Sequence, residues 1–291
     1  MPSRFRKPRV LLIGYGDVAQ RMAQLTSGRW RVAALIRRTD QLQAVREQGV
    51  TPLWGDLDQG PSLKRLAGWA QRVVHLAPPP GEGLNDPRTV RLLQALSGRT
   101  RPTQLVYVST TGVYGDAQGE WVRETRALNP QTERAQRRVH AEQAVRSWGR
   151  RMGVRVSVFR VPGIHAADRP GNLKDRLLRA APVLVPEQDI YTNHIHADDL
   201  ARLLHWAVWG ALAQRAYNVN DATQARLGEA LGKLADALGL PHPPTLTWEQ
   251  AQATLSPLVL SFWRESRRID AQRLHREWPW TLQHPHLWSA Y

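Results

Sequence analysis

Gly14-x-Gly16-x-x-Ala19 is the first constellation in the chain with a chemistry of its own. Glycines at this spacing, between an apolar run and a helix, permit a tight turn and let backbone approach a pyrophosphate resting on the helix N-terminus. Asp17 and Val18 open that helix and belong to the same expected cofactor contact. The alternative is a turn that holds no ligand. About twenty residues on, a unit that binds NAD would carry Asp or Glu for the ribose hydroxyls. Here Leu35-Ile36 leads into Arg37-Arg38. Two guanidinium groups suit a 2′-phosphate, which arginine grips by charge-assisted bidentate bonds. The expected cofactor is NADP rather than NAD, the alternative being a solvated basic strand end. A third constellation is His194-x-His196-x-Asp198, which alternates onto one strand face and has the makings of a metal site. Asp198-Asp199 precedes an apolar helix, however, and reads as its N-cap, so no metal site is expected there or at His284 and His286.

The elements that must position these residues follow from apolar periodicity. Runs at Arg9–Ile13, Val32–Ile36, Val50–Trp54, Arg72–Leu76, Gln104–Ser109 and Val154–Arg160 predict six strands. Helices are predicted from Val18 to a stop at Gly28, over Gln41–Gln48, and around Leu63 and Leu66. Two more are predicted from Asp86-Pro87, as N-cap and first helical residue, to Gly98, and over about Thr132–Met152. Alternation this regular predicts an α/β fold, a doubly wound parallel sheet with helices on both faces. After Pro162 the rhythm breaks at Pro170, Gly171, Pro182, Pro186 and Pro241-His-Pro-Pro244. Helices return at about Asp199–Trp209, Ala225–Leu238 and Asp270–Arg276, with short strand-like pieces between. The expected organisation is a dinucleotide-binding domain over 1–165 and a smaller C-terminal cap over 166–291, with later segments crossing back to the first domain. Such a cap is expected over the carboxyl ends of the strands, where ligands bind in these sheets.

Composition narrows the function. With 42% hydrophobic and 22% charged residues the chain has a globular composition, which excludes a disordered or collagen-like one. It contains no cysteine, so thiolate catalysis, Fe–S clusters and Cys-type zinc sites are excluded. Behind the basic N-terminus only Val10–Ile13 is apolar, short of the roughly 7–15 residues of a signal peptide core. No run nears the ~20 apolar residues of a membrane span. A soluble, cytoplasmic protein with no membrane partner is expected. Forty Lys+Arg against 25 Asp+Glu give a net charge of +15, and only Lys7, Lys64, Lys174 and Lys233 are lysines. The arginines are spread along the whole chain, with no basic tail and no recognition motif. Nucleic-acid binding as the main role is therefore disfavoured, and an anionic small ligand is the better expectation.

Further motifs complete a pattern. They are Gly55-Asp56-Leu57, Leu76-Ala77-Pro78, Val106-Tyr-Val-Ser-Thr-Thr-Gly-Val-Tyr-Gly115 and Phe159-Arg-Val-Pro-Gly-Ile164. Asn193-His-Ile-His-Ala-Asp-Asp199, Tyr217-Asn-Val-Asn220 and Arg267-Arg-Ile-Asp270 follow. With the glycine loop, this set resembles an extended short-chain dehydrogenase/reductase of the NAD-dependent epimerase/dehydratase family, nearly end to end. The resemblance implies a Rossmann sheet with Asp56 and Leu57 at the adenine and Ala77 and Pro78 lining the cofactor. Gly-x-Gly-x-x-Ala, in place of the family's usual Gly-x-x-Gly-x-x-Gly, marks an atypical subgroup.

The family's chemistry uses a Ser or Thr, a Tyr, and a Lys four residues after the Tyr. The Lys and the cofactor lower the Tyr pKa, so the phenol exchanges a proton with a substrate hydroxyl as hydride moves. The Ser/Thr position falls on Thr110. Laying the family's lead-in and following Glu over Pro130–Glu142 puts Arg134 at the Tyr position and Arg138 at the Lys position. Arginine stays protonated and offers no acceptor, so Arg134 cannot be a general base at neutral pH. Thr125–Gly149 holds no tyrosine. Tyr114 is the remaining phenol near the end of the fifth strand, either a proton donor or a residue packed beside the cofactor. Thr111 and Gly112 stand where the dehydratase subgroup carries Asp-Glu, which disfavours sugar dehydration. The His-x-Asp-Asp element is a structural piece of the family, and His140 and His165 read as facing solvent or the cleft. Arg134 and Arg138, four apart on a helix, are expected to point into one cleft and clamp a carboxylate or phosphate.

The expected function is an NADP-dependent oxidoreductase or epimerase-like protein acting on a small polar or anionic substrate, with NAD the lesser cofactor and a homodimer allowed. Its rival is a protein that binds or senses NADP(H) and catalyses nothing. The absent Tyr–Lys pair favours the rival; Thr110 and the full-length cap favour the enzyme.

Overall fold

A computed structural model describes residues 7–26 and 28–291; the basic residues 1–6 at the start of the chain lie outside the described residues. Five short apolar runs form β1 (Arg9–Ile13), β2 (Arg31–Ile36), β3 (Thr51–Trp54), β4 (Arg72–His75) and β5 (Gln104–Thr110). They are followed by β6 (Trp121–Val122), β7 (Arg155–Val161), β8 (Gly163–His165) and β9 (Val183–Leu184). The last strands are β10 (His194–His196), β11 (Arg215–Asn218), β12 (Thr245–Leu246) and β13 (Arg268–Ile269). The helices that matter here are α1 (Asp17–Thr26), α2 (Leu42–Glu47), α3 (Pro87–Ser97) and α4 (Glu133–Met152). To these are added α5 (Leu173–Leu178), α6 (Ala197–Gly210) and α7 (Leu227–Leu238).

One seven-stranded sheet runs β11-β7-β5-β4-β1-β2-β3. β1 pairs in parallel with β2 on one side (Arg9 beside Arg31) and with β4 on the other (Val10 beside Arg72). β2–β3 and β4–β5 are parallel too. The chain therefore winds outward through β2 and β3, then returns to continue on the far side of β1. That reversal leaves a crevice at the carboxyl ends of β1 and β4. β1 and β2 are buried along nearly their whole length, as strands covered on both faces must be. Leu11, Ile13, Val73, Leu105 and Tyr107 of the sheet pack with Leu92 and Leu96 of α3 and Val145 and Trp148 of α4. α3 starts as its sequence dictates: Asp86 accepts the Thr89 N–H at 3.0 Å and Pro87 takes the first helical position.

The seventh strand, β11, joins the sheet from the later part of the chain, where only short strand-like pieces are predicted between the helices. Its four residues, Arg-Ala-Tyr-Asn, are too few and too polar to show a period. Two compact units result, each of three segments. The first comprises Met1–Ser109, Glu133–Phe159 and Leu200–Ala216; the second comprises Thr110–Thr132, Arg160–Asp199 and Tyr217–Tyr291. The second unit thus takes in stretches ahead of residue 165, and the first takes back a stretch well beyond it. Within the second unit β8 pairs with β10, β9 with β12 and β6 with β13, all in parallel. Its core gathers Leu177 of α5, Val183 and Leu184 of β9, and Leu227, Leu231 and Leu234 of α7. Among the described residues no helix is long and apolar enough to cross a membrane.

Candidate functional site

In the first unit a cavity of about 290 Å³ opens at the carboxyl ends of β1 to β4. It is lined by Gly14 and Tyr15 after β1, Leu35 to Arg38 at the end of β2, Gly55, Asp56 and Leu57 after β3, and Ala77 and Pro78 after β4. Gln41 and Arg88 complete it. Gly14 has φ +89°, and a Cβ there would lie 2.6 Å from the Ala77 nitrogen. The peptide nitrogens of Leu76 and Ala77 both donate to the Ile13 carbonyl, at 2.8 and 2.9 Å, and draw the end of β4 onto this turn. Gly14 is therefore demanded by the protein itself. Gly16 is exposed, and a Cβ built on it meets no protein atom within 4 Å. The space at Gly16 is what a dinucleotide backbone resting on the start of α1 would need. Asp17 accepts a 2.9 Å bond from Arg21, and Val18 is buried.

The cationic rim is more elaborate than its sequence. Arg37 and Arg38 are exposed and line the cavity. Arg38 grips Asp40 through two nitrogens, and this contact raises the guanidinium pKa while lowering that of the carboxyl. Arg88 of α3 holds Asp58 bidentately, at 2.8 and 2.6 Å, and keeps its carboxyl below the usual range. The same guanidinium donates to the Pro79 carbonyl at 3.2 Å, tying the loops after β3 and β4 together at the cavity. Tyr15 donates to Gln48 at 2.7 Å, and burial pushes its phenol up to about 12. Sequence reasoning passed over Arg88, Tyr15 and Gln41; an arginine two residues past an N-cap gives no signal until the loops it spans are placed.

Behind the cavity lies a buried polar chain. His75 Nε2 and the Thr89 hydroxyl are 2.9 Å apart, and that hydroxyl donates to Asp86 at 2.7 Å. With the hydroxyl proton given to Asp86, His75 must donate through Nε2. Burial, reinforced by the charge of Arg138, holds its pKa down at about 3. His140, expected to face solvent or the cleft, accepts the Asp86 N–H at 3.1 Å. Arg138 donates to the Tyr107 hydroxyl at 3.2 Å and the Val108 carbonyl at 3.1 Å. Tyr107 is fully buried and its phenol is pushed up to about 12 by that burial. Arg134 lies half-buried in the first turn of α4. Arg137, which sequence reasoning overlooked, is the buried arginine of this turn and donates to the Gly83 carbonyl.

The second unit holds the remaining predicted residues. Thr110 ends β5, and its hydroxyl accepts the Gly112 N–H at 3.2 Å. Tyr114 is buried; its hydroxyl donates to Asn218 at 2.6 Å and receives Arg160 at 2.7 Å. Asn218 in turn donates to the Val122 and Asp270 carbonyls. A phenol tied on both sides within such a cluster favours packing over proton donation. His165, expected to face solvent or the cleft, is also buried, with its ring 5.3 Å from that of His196. His194, His196 and Asp198 do not close as a trio: among the described residues, His196, Asp198 and His284 are the group whose ligand atoms lie within 4.8 Å of one another. His196 Nδ1 already accepts the Asp198 N–H. Asp199 sits inside the first turn of α6 and accepts the Gln283 and His284 N–H groups, each at 2.8 Å, so the carboxylate read as a cap secures a distant loop.

Residues 17–219 match the model of the NAD dependent epimerase/dehydratase family. The chain belongs to this family. The match begins just past the Gly14–Gly16 turn, where the loop departs from the family's usual spacing. A functionally unknown conserved protein from Silicibacter pomeroyi DSS is similar at 26% identity, with a TM-score of 0.82 over 97% of this chain and 96% of that one. A putative epimerase from Burkholderia cenocepacia J2315 gives 21% identity and 0.77 over 98% and 97%. A dTDP-glucose 4,6-dehydratase from Bacillus anthracis str. Ames, in complex with NAD, gives 16% and 0.76 over 97% and 95%. At such identities the last two show a shared fold. A search of curated proteins gives no match.

Proposed function

We propose that this epimerase/dehydratase family member binds NADP(H) in the β1–β4 cavity and works as an oxidoreductase or epimerase-like protein on a small polar or anionic substrate. The observation that carries the reading is one cavity joining the open Gly16 turn to an exposed Arg37–Arg38 pair. Gly14 and Gly16 would admit the pyrophosphate, Asp56 and Leu57 would meet the adenine, and Ala77 and Pro78 would line the path beyond. Arg37 and Arg38 would face a 2′-phosphate, which supports NADP over NAD. The dinucleotide supplies a hydride donor or acceptor when bound.

The chain's own residues set the proton chemistry. By the family resemblance Arg138 stands at the lysine position, and its guanidinium is anchored on the Val108 carbonyl and the Tyr107 hydroxyl. Anchored there, it stabilises negative charge and exchanges no proton. Arg134, one turn earlier, has the same chemistry, which points to an anionic substrate and to Thr110 or water as the proton carrier. A second reading, cofactor binding without turnover, draws on the same facts, because Tyr114 is committed to Asn218 and Arg160. The test is NADP⁺ reduction against a panel of neutral and anionic hydroxyl compounds, in the natural protein and in Arg134→Ala. Turnover confined to anionic compounds and lost in Arg134→Ala supports the enzyme. Binding without turnover supports the sensor. Brisk oxidation of neutral alcohols, unchanged in Arg134→Ala, overturns this assignment of the site.

A further inference from the structure

The edge of the sheet opposite the cavity carries a different chemistry. The segments that lead into β1, β2, β4, β5, β7 and β11 are residues 7–9, 28–31, 68–72, 98–104, 149–155 and 210–215. Together they hold ten arginines, one lysine and no Asp or Glu. They are scattered along the sequence, and winding a parallel sheet brings them to one edge. Arg9 is the register partner of Arg31, Arg72 follows beside Val10, and the Arg155 nitrogen donates to the Thr103 carbonyl just ahead of β5. With neighbouring strands about 4.8 Å apart, the row extends over roughly 20 Å or more.

Three of these arginines donate to neutral groups. Arg72 donates to Thr103, Arg101 to the Met152 carbonyl and Arg155 to Gln104. Burial, with the charge of Arg155 added to it, lowers the pKa of Arg72. Flat aromatic groups lie among these cations. The Arg72 guanidinium sits 3.9 Å over the Trp209 ring, Trp30 stacks on His205 at 4.3 Å, and Trp30 and Trp209 are 5.0 Å apart. Trp206, one turn before Trp209 on α6, is 55% exposed.

We propose that this amino edge of the sheet is a docking surface for single-stranded nucleic acid. Along these six strands a row of cations, set apart from Glu47 ahead of β3, tracks a phosphate backbone, and the exposed Trp206 indole gives unpaired bases a platform to stack on. Paired bases keep their faces hidden, which selects single strands. The inference stands apart from the proposed function, since the cavity lies at the carboxyl ends of the strands.

The test is fluorescence anisotropy of a labelled 20-nucleotide polyuridine strand, titrated with the full chain at 50 and 200 mM salt. If about four phosphates are engaged, at a slope near −0.7 each, the fourfold rise in salt should weaken binding about 50-fold. The triple variant Arg29→Glu/Arg31→Glu/Arg155→Glu should lose at least tenfold in affinity. An equal charge change in the second unit, Arg179→Glu/Arg264→Glu/Arg276→Glu, should lose less than threefold. Trp206→Ala, at an exposed site that spares the fold, should lose about fivefold or more. No binding at 50 mM salt, equal losses in the two triples, or an unaffected Trp206→Ala would each overturn the proposal. So would a duplex of the same length binding as tightly, or phosphatidylserine vesicles binding where the strand does not.

Discussion

Gly14 and Gly16 are two residues apart, yet a side chain would meet the protein at one and open space at the other, so substituting each in turn separates the demand of the fold from the proposed ligand contact. At Gly14 a side chain meets positive φ and a backbone nitrogen 2.6 Å from the new Cβ. The left-handed conformation costs about 1–2 kcal/mol and the overlap about 1–3 kcal/mol more. Gly14→Ala should therefore lower stability by roughly 2–5 kcal/mol and the melting temperature by roughly 5–15 °C. At Gly16 nothing lies within 4 Å, so Gly16→Val should leave stability within about 0.5 kcal/mol of the parent. The same valine would fill the space proposed for the pyrophosphate, and NADPH binding should vanish. Thermal unfolding and quenching of tryptophan emission by NADPH read the two effects on the same samples. Undiminished NADPH affinity in a folded Gly16→Val protein would show that the open space is not the ligand's. A Gly14→Ala protein as stable as the parent would refute the steric argument.

Two further outcomes follow from buried groups. Tyr114→Phe removes one hydroxyl from the Asn218–Arg160 cluster and should cost about 1–3 kcal/mol in urea unfolding, with cofactor affinity intact; an unchanged stability would return Tyr114 to the list of proton donors. His75 and His194 are buried and held neutral, with pKa values pushed down to about 3. The unfolded chain takes up these protons near pH 6.5, so the associated stability is full above that pH and is lost as pH falls from 6.5 toward 3. Each site should account for about 2 kcal/mol of destabilisation at pH 5. Comparing pH 7.5 with pH 5.0, His75→Gln should lose about that much less than the parent; equal losses would mean that His75 is not the titrating group.

The sheet was legible because β1 to β5 are short apolar runs bounded by glycines and polar turns, and because Asp86-Pro87 marks a helix start by local chemistry alone. The β1–β4 cavity was legible for a related reason: its walls are the residues that immediately follow those strands, so Gly14, Arg37, Asp56 and Ala77 come together once the strand order is known. What stayed hidden depends on long-range partners. β11 has four residues and no period of its own. Arg137 and Arg160 are arginines by sequence and core residues by structure, since a carbonyl or a phenol supplied from far along the chain satisfies each. His165, read as facing solvent or the cleft, is buried by a strand pairing that nothing nearby in sequence announces, and the bond His140 accepts from the Asp86 N–H comes from far along the chain. The basic sheet edge was invisible for the same reason, its arginines being evenly spread until the winding of the sheet collects their segments.

The central claim is that the β1–β4 cavity holds NADP(H) through its glycine turn and its arginine pair. Calorimetric titration of NADPH and of NADH into the natural protein tests it directly. Charge-assisted bonds to the 2′-phosphate are worth about 1.5–3 kcal/mol, so NADPH should bind at least about tenfold more tightly than NADH. The gap should close in Arg37→Ala/Arg38→Ala. Equal affinity for the two cofactors in the natural protein, or binding of neither, would contradict the account.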